Sequence, residues 1–155
     1  MNINYQGEGN FKIKAKEGNI ILGEKIQINE FTIPGAGEFE VAGISAESID
    51  GIFTFQSEDM NLTYLKRKNI LDDKELERVK DTDILFVPIS EWLETKTAIE
   101  VINQIEPKIV IPMFYKNVDD VKLLGDASPE IIDLLKISKA NLPVEDRRII
   151  AINKQ

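Results

Sequence analysis

Histidine and cysteine, the residue types that most often move protons or hold zinc near neutral pH, are both absent from the 155 residues of this chain. Catalytic zinc sites draw most of their ligands from these two, because neutral imidazole and thiolate suit a borderline-soft cation. Ser-His-Asp and Cys-His nucleophilic catalysis need the same groups. Carboxylate, Lys or Tyr chemistry, an oxygen-ligated hard cation, or no chemistry at all remain. Asp72-Asp73 and Asp119-Asp120 are acidic pairs, but a calcium or magnesium site needs several converging oxygens. Helix capping accounts for the first pair and a solvated turn for the second. Gly35-Ala36-Gly37-Glu38 resembles a phosphate-cradling loop in composition, yet it leads into a strand and so has no helix N-terminus behind it. Lys66-Arg67-Lys68 is the one tight basic cluster. Against 19 Lys plus Arg and 27 Asp plus Glu, a formal charge of -8, it is too small to draw in a phosphate backbone. Nucleic acid is therefore not an expected partner.

The elements that must position these residues fall into two halves. From Met1 to Phe55 short apolar or alternating runs are punctuated by glycines at 7, 9, 18, 23, 35 and 37, the pattern of an antiparallel meander. Asn61 to Leu65 extends it. Asp72 with Glu75 three residues on is a capping box, which predicts a helix over 73–79. Asp83 to Ile89 is an almost continuous apolar run suited to a strand buried on both faces. Ala98, Val101, Ile102 and Ile105 recur at helical spacing over 95–105, and Pro107 ends that helix. Lys108 to Pro112 is the next buried strand. Ser128-Pro129-Glu130 predicts a further helix with Ile131, Leu134 and Leu135 as its apolar stripe, and Arg148 to Asn153 a closing strand. A chain of this length forms one domain, residues 1–155, with a full core and no need of disulfides. No run has the length of a secretion signal or a membrane span, so a cytoplasmic protein away from membranes is expected.

Two segments carry a resemblance. Gly35-Ala36-Gly37-Glu38-Phe39-Glu40-Val41-Ala42-Gly43-Ile44 and Ile105-Glu106-Pro107-Lys108-Ile109-Val110-Ile111-Pro112-Met113-Phe114-Tyr115 closely resemble the metallo-β-lactamase-fold superfamily. They are most similar to its branch of small metal-dependent hydrolases related to ascorbate-6-phosphate lactonase. The opening Met1 to Lys12 looks like that branch's first hairpin, and Leu142-Pro143 through Arg147-Arg148-Ile149-Ile150 like its closing segment. The resemblance implies a reduced αβ/βα sandwich of two packed mixed sheets, with strands mainly N-terminal and helices in the C-terminal half.

The departures from that pattern are where its metal ligands stand. The segment that would carry the superfamily's His-x-His-x-Asp-His run is missing between Leu22 and Gly35. Glu8 replaces the histidine after the first glycine. Tyr64-Leu65-Lys66-Arg67 lies where members have His-Leu-Gly-Asp, which puts Arg67 at the bridging aspartate. Phe114 stands at the last histidine. By this resemblance Glu8, Arg67 and Phe114 are vestigial metal-site positions, with Glu38, Glu40, Tyr64, Trp92 and Tyr115 at the pocket rim, and no metal, other cofactor or catalytic residue is expected. Arg67 either points to solvent from a strand end or pairs with one or two of Glu8, Glu38 and Glu40, whose charges lose their counter-ions with the metals. Phe114 is expected to fill the vacated space, and Trp92 to pack at the rim or anchor an interface. The chain has no helix-like segment before Asp72. If the N-terminal sheet keeps an apolar outer face, on residues alternating with Phe11, Ile13, Ile20, Leu22, Phe53 and Phe55, a second copy would cover it. A homo-oligomer is thus expected, with another protein as a possible partner. The function these readings imply is a non-catalytic structural or protein-interaction module. The alternatives are a hydrolase of small sugar-phosphate or lactone-like substrates with atypical ligands, and a small-molecule binder without chemistry.

Overall fold

The computed structural model describes residues 1–90, 92–125 and 128–155. Its first sheet is a wholly antiparallel meander of β1 (Asn2–Gly7), β2 (Asn10–Lys14), β3 (Asn19–Leu22), β4 (Gln27–Ile28) and β5 (Phe31–Thr32), with β13 (Leu135–Lys136) added beside β1. The second is mixed. β6 (Gly37–Val41), β7 (Ile44–Ile49), β8 (Ile52–Ser57) and β9 (Met60–Leu65) form its antiparallel wing. β10 (Ile84–Pro88), β11 (Ile109–Met113), β14 (Arg148–Ile152) and β12 (Glu130–Ile132) continue from β9 in parallel. Three hairpins of the wing turn on two residues that both have positive φ, Ala42-Gly43, Asp50-Gly51 and Glu58-Asp59, the geometry that matches strand twist.

Alternation decides the layering. Phe11, Ile13, Ile20 and Leu22 of the first sheet meet Leu62, Tyr64, Ile84, Phe86, Ile109 and Ile111 of the second in one core between the sheets. The other faces of β10 and β11, with Leu85, Val87 and Val110, are covered by helices α1 (Asp73–Val79), α2 (Thr95–Ile105) and α3 (Val118–Lys122). Strands buried on both faces thus take a continuous apolar run. In α1, Glu75 N donates to Asp72 Oδ1 at 2.8 Å and Asp72 N to Glu75 Oε1 at 3.0 Å, closing the capping box. In α2, Ala98, Val101, Ile102 and Ile105 are the buried stripe, and Glu106 ends the helix at φ 54° by donating to the Ile102 carbonyl at 2.8 Å. Among the described residues no helix is long and apolar enough to cross a membrane.

Two expectations fail here. The segment after Ser128 is not a helix but two short strands on different sheets: β12 pairs with β14, Ile131 opposite Ala151, and β13 pairs with β1, Leu135 opposite Ile3. Long-range pairing overrides the local stripe, and Arg148 fixes β12 by a two-pronged contact with Glu130 (Nε–Oε2 2.7 Å, Nη2–Oε1 2.8 Å). Leu135 is buried while Ile131 stays exposed. Asp119-Asp120, expected in a turn, instead opens α3, where Asn117 caps the Asp119 amide at 2.9 Å and Asp120 accepts from the Lys116 and Asn117 amides. The outer face of the first sheet carries Asn2, Asn4, Lys12, Lys14 and Gln27, with Ile21 as its apolar member. The apolar face that motivated a second copy is absent there.

Candidate functional site

Parallel strands β9, β10 and β11 end together at Leu65, Pro88 and Met113, and the carboxyl ends of such strands are where open α/β sheets bind ligands. The β1–β2 turn closes over this end. Tyr5 OH accepts from the Gly9 amide at 3.2 Å and from the Phe114 amide at 3.4 Å, and Tyr64 OH donates to the Gly9 carbonyl at 2.8 Å. Tyr64 is buried, and desolvation, with the nearby Tyr5 second, pushes its phenol far above the usual range. Tyr115 donates to the Ile152 carbonyl at 2.8 Å, and burial, again with Tyr5 second, pushes it up to about 12. Both phenols therefore stay protonated and act as hydrogen-bonding struts, unsuited to general-base work near neutral pH.

Phe114 leaves β11 with φ 66°, which swings its ring onto Gly9. A Cβ on Gly9 would lie 2.4 Å from the ring's Cζ, so only glycine admits this approach, and Gly9 itself has φ +75°. The indole of Trp92 stacks on Phe114, with centroids 4.7 Å apart and planes within 16°. Lys68 Nζ sits 5.5 Å from the Trp92 ring centroid. Gly9, Phe114, Trp92 and Lys68 thus form a layered plug over the strand ends, with Trp92 its partly exposed member.

Arg67 neither reaches Glu8, Glu38 or Glu40 nor points into solvent. It grips Glu75 of α1 through Nη1–Oε2 and Nη2–Oε1 (3.2 Å for the second), and donates to the carbonyls of Ile70 at 3.2 Å and Asp50 at 3.4 Å. Its Nε is buried with no partner. The guanidinium holds the Glu75 carboxyl below the usual carboxylate range. The reason is proximity: the β9–α1 connection brings α1's first turn within reach, so the carboxylate that caps the helix also meets the arginine. Glu8 sits exposed at φ 52° between Gly7 and Gly9, and its carboxylate has no ion-pair partner among the described residues. Glu38 and Glu40 lie elsewhere, on the outer face of β6, in the wall of a groove of about 480 Å³ that also takes in Glu47, Gln56, Arg78 and Asp81. The structure therefore brings Tyr64 and Phe114 onto Gly9 of the β1–β2 turn, Trp92 onto Phe114 and Tyr115 beside Tyr5, and leaves Glu38 and Glu40 outside that arrangement. Tyr5, Gly9, Lys68 and Glu75 were missed. Glu75 carried a signal, but its capping role already explained it.

The donors do not fit a metal. At the three positions where the resemblance puts ligands stand an outward carboxylate, a guanidinium already bound to a carboxylate, and a phenyl ring packed on backbone. Among the described residues no three Asp or Glu side chains converge into a group able to hold a cation.

Residues 3–114 match the family described as Beta-lactamase superfamily domain. The chain belongs to that family. This beta-lactamase superfamily domain also shares its fold with a metallo-beta-lactamase superfamily protein of Thermotoga maritima (TM-score 0.83, 21% identity, 98% of both chains covered). A second solved neighbour is Igni18, a metallo hydrolase of Ignicoccus hospitalis (TM-score 0.56, 9% identity, 74% of this chain and 82% of that one). No curated protein has a matching sequence. The likeness confirms the layered α/β sandwich of two packed sheets expected above, and the two neighbours, at these identities, speak to fold alone.

Proposed function

We propose that this beta-lactamase superfamily domain is a non-hydrolytic member that works as a protein-interaction module. The observation that carries the reading is the Gly9–Phe114–Trp92 stack, which occupies with aromatic carbon the strand ends where the resemblance puts the last metal-binding histidine. Arg67, at the bridging-aspartate position, adds a cation whose charge is already spent on Glu75. A cation approaching there meets a guanidinium and carboxylate already engaged with each other and an apolar ring, none of which replaces its water. Turnover assays test the reading directly. The purified protein, with zinc or manganese added, is expected to leave a phosphodiester, a lactone and a thioester substrate uncleaved above the rate of a boiled control. Metal-dependent turnover that follows the protein through two purification steps would overturn it. A homo-oligomer built on the outer face of the first sheet would have to be held by polar contacts around Ile21. Static light scattering decides that point, a dimer mass supporting the assembly and a monomer mass sinking it.

A further inference from the structure

From the edge strand β6 and its unpaired carboxylates, we infer that the chain binds a partner segment in extended conformation, basic and apolar in alternation, as an added strand beside Gly37–Val41. The four sheet edges are unequal. β5 and β13 have two residues each and β12 three, whereas β6 has five. A long free edge is a template for another strand.

The hairpin fixes which groups are free. β6 and β7 join through the two-residue turn Ala42-Gly43, so Val41 and Ile44 form the hydrogen-bonded pair next to the turn. Alternation then gives Phe39 opposite Ala46 the next such pair and leaves Glu38 and Glu40 with their N–H and C=O groups directed away from β7. An added strand has these two residues to bond to.

Side chains set the sequence it prefers. On the outer face Glu38 lies across from Glu47, whose charge is engaged by Arg78, while the Glu38 and Glu40 carboxylates have no ion-pair partner among the described residues. On the inner face Phe39 and Val41 are half-buried against the core, and Phe31 of β5 is exposed 5.8 Å from the Phe39 ring. A neighbour strand with Lys or Arg toward Glu38 and Glu40, and Val, Ile or aromatic residues toward Phe39 and Phe31, satisfies both faces. A second copy does not. Antiparallel pairing of β6 with itself, centred on Phe39, sets Glu38 opposite Glu40 of the other copy, a like-charge pair at each end. The net charge of -8 further favours a basic partner.

The inference rests on the reading of the chain as an interaction module, and the two fail separately: metal-dependent turnover overturns the first, absent peptide binding the second. The test is an amide-resolved NMR titration with the peptide acetyl-Lys-Val-Lys-Val-Lys-amide, alongside acetyl-Glu-Val-Glu-Val-Glu-amide. The expected result is saturable binding of the lysine peptide that weakens with salt, with the largest amide shifts at Glu38 and Glu40. In the E38K/E40K variant the lysine peptide should bind at least about tenfold more weakly and the glutamate peptide more tightly. Equal binding of both peptides to the wild type, shifts centred away from β6, no saturable binding, or a dimer that forms through β6 would each overturn it. Both substitutions are at exposed positions, and the far-UV circular dichroism of the variant checks that the fold persists.

Discussion

Placing a methyl group on Gly9 should report directly on the aromatic plug. In Gly9→Ala the new Cβ would sit 2.4 Å from Cζ and 2.8 Å from Cε2 of Phe114, far inside contact distance, so the ring must move by about 1 Å to reach ordinary separation. That shift disrupts the 4.7 Å stack on Trp92, worth about 1 kcal/mol. Holding alanine at φ +75° costs about 1 kcal/mol more. The single variant should therefore lose about 2–3 kcal/mol. Phe114→Ala removes a half-buried ring and should lose about 2 kcal/mol, below the range for a fully buried phenylalanine. In the double variant the clash has no ring to act on, so the alanine at position 9 should cost only its backbone term of about 1 kcal/mol. The cycle thus yields a coupling of about 1–2 kcal/mol. Urea unfolding followed by circular dichroism measures the free energies. Trp92, the single tryptophan, reports the same site by fluorescence. Strictly additive effects, or a Trp92 spectrum indifferent to Gly9→Ala, would refute the packing argument.

Other consequences can be checked in the same way. Arg67→Ala should destabilise by about 2 kcal/mol at neutral pH, because a charge-assisted two-pronged contact is lost. Since Arg67 depresses the Glu75 pKa, that contribution is present above the unfolded value of about 4.3 and vanishes as pH falls through the folded one; the gap between wild type and variant should close in urea melts run toward pH 3. Leu135→Asp should cost about 3 kcal/mol or more and Ile131→Asp under about 1 kcal/mol, since Leu135 is 3% and Ile131 47% exposed; equal costs would restore the helix in place of β12 and β13. Tyr64→Phe leaves the Gly9 carbonyl without its 2.8 Å donor and should lower stability by about 1 kcal/mol. In a spectrophotometric titration Tyr115 should remain protonated at pH 11, as burial pushes it up to about 12.

Much of this fold can be read from the residues because the sheets are built from neighbours. Glycine-punctuated alternation gives β1 to β9 in order, and each pairs with the next except β5 and β6, between which the chain passes from one sheet to the other. α1 and α2 are visible because cap and stripe lie within their own spans. β12 and β13 are not, since the partners that make them strands are Ile150 to Ile152 in one case and Asn2 and Ile3 in the other. α3 is a single turn whose stripe is too short to register. At the strand ends, Arg67 and Phe114 stand out only against a family pattern. Glu75, already needed as a cap, shows no sign of holding Arg67, and the Gly9–Phe114 contact joins residues at opposite ends of the chain. What Phe114 touches had to come from the packing, while the proposal that it stands at a ligand position rests on the resemblance.

The most direct test of the proposed loss of the metal site is calorimetric titration of the chelator-free protein with zinc and with manganese, paired with elemental analysis of the protein as purified. With a guanidinium and a phenyl ring at the positions the resemblance assigns to ligands, the expected result is less than about a tenth of an equivalent of metal as purified and no saturable heat at millimolar ion. One or two tightly held equivalents, lost when Glu8 is changed to alanine, would contradict it.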